Sequence, residues 1–146
     1  MTVLTYSSDL ILTAKQTRLA AMKLAVLSTA AKNEAIEAIA VALESAQDEI
    51  IQANIADCEA AESEGIAKPL YKRLQLDEHK LRDNIVGVRD IGKLPDPVGS
   101  VQIHRKLDNG LVLKRVSCPL GVLGIIFEAR PEAAIQIATL AIKSGN

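Results

Sequence analysis

From Val122 to Phe127 the chain reads Val-Leu-Gly-Ile-Ile-Phe, a stretch without a polar side chain, bounded by Gly121 and Glu128. A strand of that composition expects cover on both faces, the condition met inside a parallel sheet. The polar loop Glu128-Ala129-Arg130 follows. Pro131 then suits the first position of a helix, Glu132 complements its positive end, and Gly145 suits its left-handed stop. Strand, loop and helix make one β-α step, and a crossover helix normally delivers the backbone to a second parallel strand. The crossover ends at Asn146, the last of 146 residues. Two readings are open: the helix packs onto the rest of the chain, or these residues are the front portion of a longer α/β protein.

Upstream of Gly99 the pattern is helical. Ser7, Ser8 and Asp9 offer N-caps for a helix carrying Leu10, Leu12, Leu19, Met22 and Leu27. Ser28-Thr29 caps a second helix, in which Ile36, Ile39, Ala40 and Leu43 recur as one apolar stripe. Helical character resumes or continues through residues 47–64, and Gly65 fits a C-terminal stop. After a turn begun by Pro69, another helix has Asp77 as N-cap and Leu81, Ile85 and Val88 on its buried face. Pro95 and Pro97 end it. Beyond Gly99 the period drops to two. Residues 100–119 alternate around Asp108-Asn109-Gly110, residues that tolerate positive φ, which is a hairpin signal. The expected divisions are a helical part at 1–98, a hairpin at 99–118 and the β-α step at 119–146.

Charge and composition exclude several classes. Seventeen Lys and Arg against eighteen Asp and Glu give a net charge of −1, which offers no footprint for nucleic acid. Tyr6, Tyr71 and Phe127 are the only aromatics and lie far apart, so base stacking is unsupported as well. No apolar run approaches the roughly 20 residues of a membrane span, and the N-terminus has no secretion-signal pattern. Cys58 and Cys118 have no CxxC or His-rich surroundings, which suits unpaired thiols in a reducing cytoplasm. No His/Cys/carboxylate cluster has ligand spacing, so no metal site is expected. His79 and His104, each flanked by charged residues, read as surface groups.

A family resemblance rests on specific residues. "DPVG" at 96–99, "GLVLKRVSCPLGVLGIIFEARPEA" at 110–133 and "IATLAIKSGN" at 137–146 resemble the γ-glutamyl phosphate reductases, also called glutamate-5-semialdehyde dehydrogenases, of the aldehyde dehydrogenase superfamily. "AKQTRLAAMKLAVLSTAAKN" at 14–33 and "ANIADCEAAESEG" at 53–65 are similar to that family's opening helices, so the likeness covers nearly the whole chain. It implies an α/β fold, of which the part present is mostly helical with one hairpin and one β-α step of the cofactor-binding sheet. It implies NADPH-dependent reduction of L-glutamate 5-phosphate to the 5-semialdehyde in proline biosynthesis, in the cytoplasm, by a homo-oligomer in full-length form. The chemistry runs through a cysteine thiolate that the family carries downstream, so no catalytic residue is expected among these 146 and the chain alone is expected to be inactive. The alternative is a non-catalytic subunit acting as an oligomerisation or interaction module.

For the candidate site, the loop at 128–131 is the strongest position, because open α/β sheets bind ligands beyond the carboxyl ends of their strands. Arg130 can hold a substrate carboxylate or phosphate through its planar fork, or it forms an ion pair with Glu128 or Glu132; both readings stand. Related aldehyde dehydrogenases carry an Asn oxyanion donor in this loop, where this chain has Ala129 or Arg130. The resemblance places the backbone of Ile126, Phe127 and Glu128 beside the cofactor and makes the hairpin an oligomerisation arm. Gly121 and Gly124 form no dinucleotide fingerprint. Cys118, without a basic neighbour to activate it, and Cys58, among alanines, read as packed thiols. Lys143 reads as a helix-terminus charge.

Overall fold

A computed structural model describes residues 8–146. Six helices and one hairpin follow in the order α1 (Ser8–Leu24), α2 (Thr29–Ser45), α3 (Gln47–Ser63), α4 (Lys68–Leu74), α5 (Glu78–Lys93), β1 (Val101–Asp108), β2 (Leu111–Val116) and α6 (Pro131–Ser144). Helix starts follow local chemistry. The Ser28 hydroxyl accepts from Ala31 N–H at 3.2 Å, and the Asp77 carboxylate accepts from Lys80 N–H at 2.8 Å, each satisfying an amide that the first turn leaves unpaired. Ser8 and Asp9 lie inside the first turn of α1, and Ser7 falls outside the described residues. Ala46 alone separates α2 from α3. The Pro69 turn is a short helix, α4.

The core is the junction of α2, α5 and α6. Ile36 and Ala40 on α2 meet Leu81, Ile85 and Val88 on α5, with Leu76 beneath and Ile135 and Ile142 of α6 packed against the cluster. Spacings of four and seven put these side chains on one face of each helix. Gly92 lets α5 approach closely: a Cβ there would already sit 3.4 Å from Ile36 Cγ2. Across the α2–α5 seam, Arg89 reaches Glu37 at 2.9 Å and Glu44 at 2.6 Å; the hydrogen bond from Arg89 holds the Glu44 carboxyl below its usual range. Asn54 of α3, buried, ties in the α4–α5 connection by donating to Leu74 C=O at 2.8 Å and accepting from Leu76 N–H at 2.7 Å.

The helix expected to carry Leu10, Leu12, Leu19 and Met22 is present as α1, and these residues and Leu27 after it are exposed. One expectation is corrected. The strand expected at residues 122–127 carries no ladder. The sheet of the described residues has only two strands, the antiparallel pair β1–β2, and a strand exists only where a neighbour completes its hydrogen bonds. In the hairpin Asp108 pairs with Leu111; Gly110 takes positive φ (80°), while Asn109, which also tolerates it, does not.

Candidate functional site

The loop leading into α6 owes its course to one residue. Ala129 has φ 48°, the left-handed region, and is the sole non-glycine there among the described residues. An L side chain in that conformation costs about 1–2 kcal/mol, so the turn is imposed by what flanks it. On one side Pro131 starts α6; on the other, residues 119–121 are pinned to the far end of the same helix. There the Asn146 side-chain oxygen accepts from Leu120 N–H at 2.5 Å and Gly121 N–H at 3.0 Å. The segment thus runs antiparallel to α6, anchored at both ends and unpaired between: no described residue hydrogen-bonds the backbone of residues 122–129.

On this segment Ile126 is fully exposed, Phe127 half-exposed, and Glu128 and Arg130 exposed. Phe127 lines a cavity of about 400 Å³ with Leu24 of α1 and Ala134 and Ile137 of α6. Arg130 lies outside that cavity. Its nearest charge is Glu132, with Nε to Oε1 at 3.9 Å, and no described residue pairs it with Glu128. The guanidinium therefore keeps most of its donors free. Glu132 Oε2 is sealed from solvent without a hydrogen-bond partner, at the positive end of α6, where a carboxylate is favoured.

Away from the loop, at the far end of α6 and on α2, two cations are buried. Lys143, 3% exposed, donates to Asn33 at 2.6 Å and to Gly92 C=O at 2.7 Å, joining α6 to α2 and α5. This replaces the helix-terminus role expected for it: the side chain points inward, where two oxygens replace water. Lys32, 1% exposed, pairs with Asp96 at 2.5 Å. Burial opposes the Asp96 charge, but hydrogen bonds from Lys32, Val98 N–H and Thr29 outweigh it and hold the carboxyl at about 2. The thiols divide. Cys58 is buried, and desolvation raises its pKa; Cys118 is exposed, not packed as expected, because the end of β2 has no layer beneath it.

A polar cavity of about 280 Å³ beside the loop, lined by Lys80, Asp83, Asn84, Glu132 and Gln136, was not anticipated. Its signal lies in two four-residue repeats, Lys80 with Asn84 and Glu132 with Gln136, which place matching polar faces on α5 and α6. Gln136 donates to Asn84 at 3.2 Å across it.

No family model matches the chain. A gamma-glutamyl phosphate reductase from Nostoc punctiforme is 77% identical over all 146 residues. Along its whole length this chain is similar to gamma-glutamyl phosphate reductases. The one from Trichormus variabilis is 75% identical over 146 residues. Among solved structures, the gamma-glutamyl phosphate reductase of Saccharomyces cerevisiae superposes with a TM-score of 0.90 at 40% identity, over 97% of this chain and 35% of its own. That of Thermotoga maritima gives 0.89 at 37% identity, over 95% and 34%. The chain spans about a third of the length of the curated relatives it matches. The family resemblance carried by "EARP" and "SGN" is thereby shown, and the mostly helical fold with its hairpin is the fold that the matched third of these reductases adopts.

Proposed function

We propose that this chain supplies one portion of a gamma-glutamyl phosphate reductase, in which L-glutamate 5-phosphate is reduced with NADPH to the 5-semialdehyde and phosphate. Within that reading, Arg130 binds an anionic group of the substrate, and the backbone of Ile126, Phe127 and Glu128 lies along the cofactor. The observation that carries it is the exposed, nearly unpaired Arg130 guanidinium at the start of α6, beside backbone amides and carbonyls that nothing else uses. Those residues fit a nicotinamide cofactor: Ile126 and Phe127 offer apolar surface to a ring, and the free backbone groups can take its carboxamide. When bound, NADPH supplies the hydride. Arg130 draws the substrate's negative charge to the loop and orients it through a bidentate contact, while the left-handed turn at Ala129 keeps that side chain at the mouth of the helix. Residues 100–117 would serve as an oligomerisation arm of the complete, cytoplasmic enzyme.

The test is a graft. This chain replaces the matched residues of the Nostoc punctiforme reductase, and NADPH oxidation by glutamyl phosphate is followed. Activity is expected, and Arg130→Gln should raise KM for glutamyl phosphate about ten- to a hundredfold, the usual effect of losing a hydrogen bond to a charged group. An active graft whose KM ignores Arg130→Gln assigns that residue to its Glu132 pair. A second reading, a non-catalytic interaction module, is favoured by the exposed apolar surfaces of α1 and residues 120–127; turnover by the graft would count against it.

A further inference from the structure

We propose that the polar cavity between α5 and α6 receives a primary ammonium group, and that Arg130 and Glu132 together hold the α-amino acid head of the substrate, Arg130 its carboxylate and Glu132 its ammonium. The inference deepens the reductase reading and rests on it. It gives the substrate's nitrogen a site and makes that site the source of selectivity for an amino acid over the same acyl chain without nitrogen.

The cavity of about 280 Å³ is lined by Lys80, Asp83, Asn84, Glu132 and Gln136, and it is larger than one water, whose share of liquid volume is about 30 Å³. Its wall is rich in acceptors that have no donor. Lys80, the one cation on it, spends its Nζ on Gln75 C=O at 2.6 Å and Lys72 C=O at 3.4 Å. Asn84, 7% exposed, commits its Nδ2 to Lys80 C=O at 2.8 Å and accepts from Gln136 Nε2 at 3.2 Å. That leaves the Gln136 side-chain oxygen without a hydrogen bond among the described residues. Asp83 meets only His79, at 3.1 Å on the exposed surface. Glu132 decides the character of the site, because its Oε2 is sealed from solvent with no donor. A carboxylate oxygen left in that state costs more than an ordinary hydrogen bond returns. An ammonium group brings three donors and the complementary charge, where a hydroxyl or an amide brings fewer donors and no charge.

Arg130 supplies the second half of the argument. Its Nε stands 3.9 Å from Glu132 Oε1, beyond hydrogen-bond range, so the two charges are neighbours that leave each other's bonding groups unused. An α-amino acid carries the same pair in reverse: with bonds of about 1.5 Å to Cα, its ammonium nitrogen and carboxylate carbon lie about 2.5 Å apart. Such a head can set its carboxylate on the guanidinium fork and its nitrogen on Glu132, each charge meeting its opposite. An acyl phosphate without the α-nitrogen leaves the Glu132 carboxylate uncompensated and is rejected for that reason.

The experiment uses the graft described above, with glutamyl phosphate and its des-amino analogue, glutaryl phosphate, as alternative substrates. A preference for glutamyl phosphate of about a hundredfold or more in kcat/KM is expected. Glu132→Gln, which keeps the size and removes the charge, should shrink that preference at least about tenfold, with the loss falling on glutamyl phosphate. Asp83→Asn, on a side chain 70% exposed, should shrink it about threefold, as suits a solvent-screened charge. A loss shared equally by both substrates means that Glu132 only supports the start of α6, and it overturns the proposal. Should Glu132→Gln fail to fold, Asp83→Asn decides, and an unchanged preference overturns the proposal. An inactive graft removes the reductase reading instead. Titration calorimetry of the same protein with L-glutamate and with glutarate then tests the ammonium site: equal affinities overturn it, and a preference for L-glutamate that Glu132→Gln abolishes supports it.

Discussion

Asp96 shows how far a single carboxylate can reach. It accepts from Thr29 at 2.8 Å and Val98 N–H at 3.0 Å while neutralising the buried Lys32. Its folded pKa of about 2 lies below the ordinary 3.8. The stabilisation it gives is therefore complete above the unfolded value and disappears as pH falls through the folded one, between about pH 4 and pH 2. Asp96→Asn should leave the Lys32 charge sealed without a counter-ion and cost about 3–5 kcal/mol by chemical denaturation, with loss of the pH dependence in that window. Neither buried lysine was readable from its own identity, since lysine ordinarily marks a surface. The clue lay in spacing: Lys32 sits four residues before Ile36, and Lys143 four after Thr139, each on the buried face of its helix. Arg130, in contrast, was singled out through its place in the loop, where its exposed guanidinium lies 3.9 Å from Glu132.

At the scale of elements, α3 and α6 end alike. Gly65 N–H bonds Glu62 C=O and Ile66 N–H bonds Ala61 C=O; Gly145 N–H bonds Ile142 C=O and Asn146 N–H bonds Ala141 C=O. In both ends the glycine is left-handed, at φ 70° and 75°, the pattern that closes a helix on its last carbonyls. The surroundings differ. A Cβ on Gly65 meets nothing within 4 Å, whereas one on Gly145 would lie 3.0 Å from Pro119 Cγ. Gly65→Ala should thus cost only the conformational penalty, about 1 kcal/mol. Gly145→Ala should cost about 2 kcal/mol or more, since strain and crowding add. Urea midpoints of the two variants compare them directly, and equal shifts would mean that Pro119 yields freely. Both stops were readable because glycine chemistry is local. So were the caps at Ser28 and Asp77. The apolar run at 122–127 was read as a strand from composition, but a strand is a relation between two segments, and no property of one segment supplies the other. The same reasoning covers α1, whose helix is encoded locally while its burial depends on a neighbour.

For the whole molecule, cohesion is uneven. The junction of α2, α5 and α6 carries the fully buried side chains, while α1, the hairpin and residues 119–127 contribute most of the exposed large apolar groups. Among the described residues no helix is long and apolar enough to cross a membrane. Cooperative unfolding should therefore report the three-helix junction, with α1 opening at far lower cost. Lys32 and Lys143 lie at that junction, and the other lysines, Lys15 to Lys114, are exposed. An amine-acylating reagent should consequently modify the exposed lysines within minutes and leave these two intact for as long as the junction holds. Peptide mass mapping would then read assembly of the three helices as two unlabelled amines, and early labelling of Lys143 ahead of Lys32 would mean that α6 departs first.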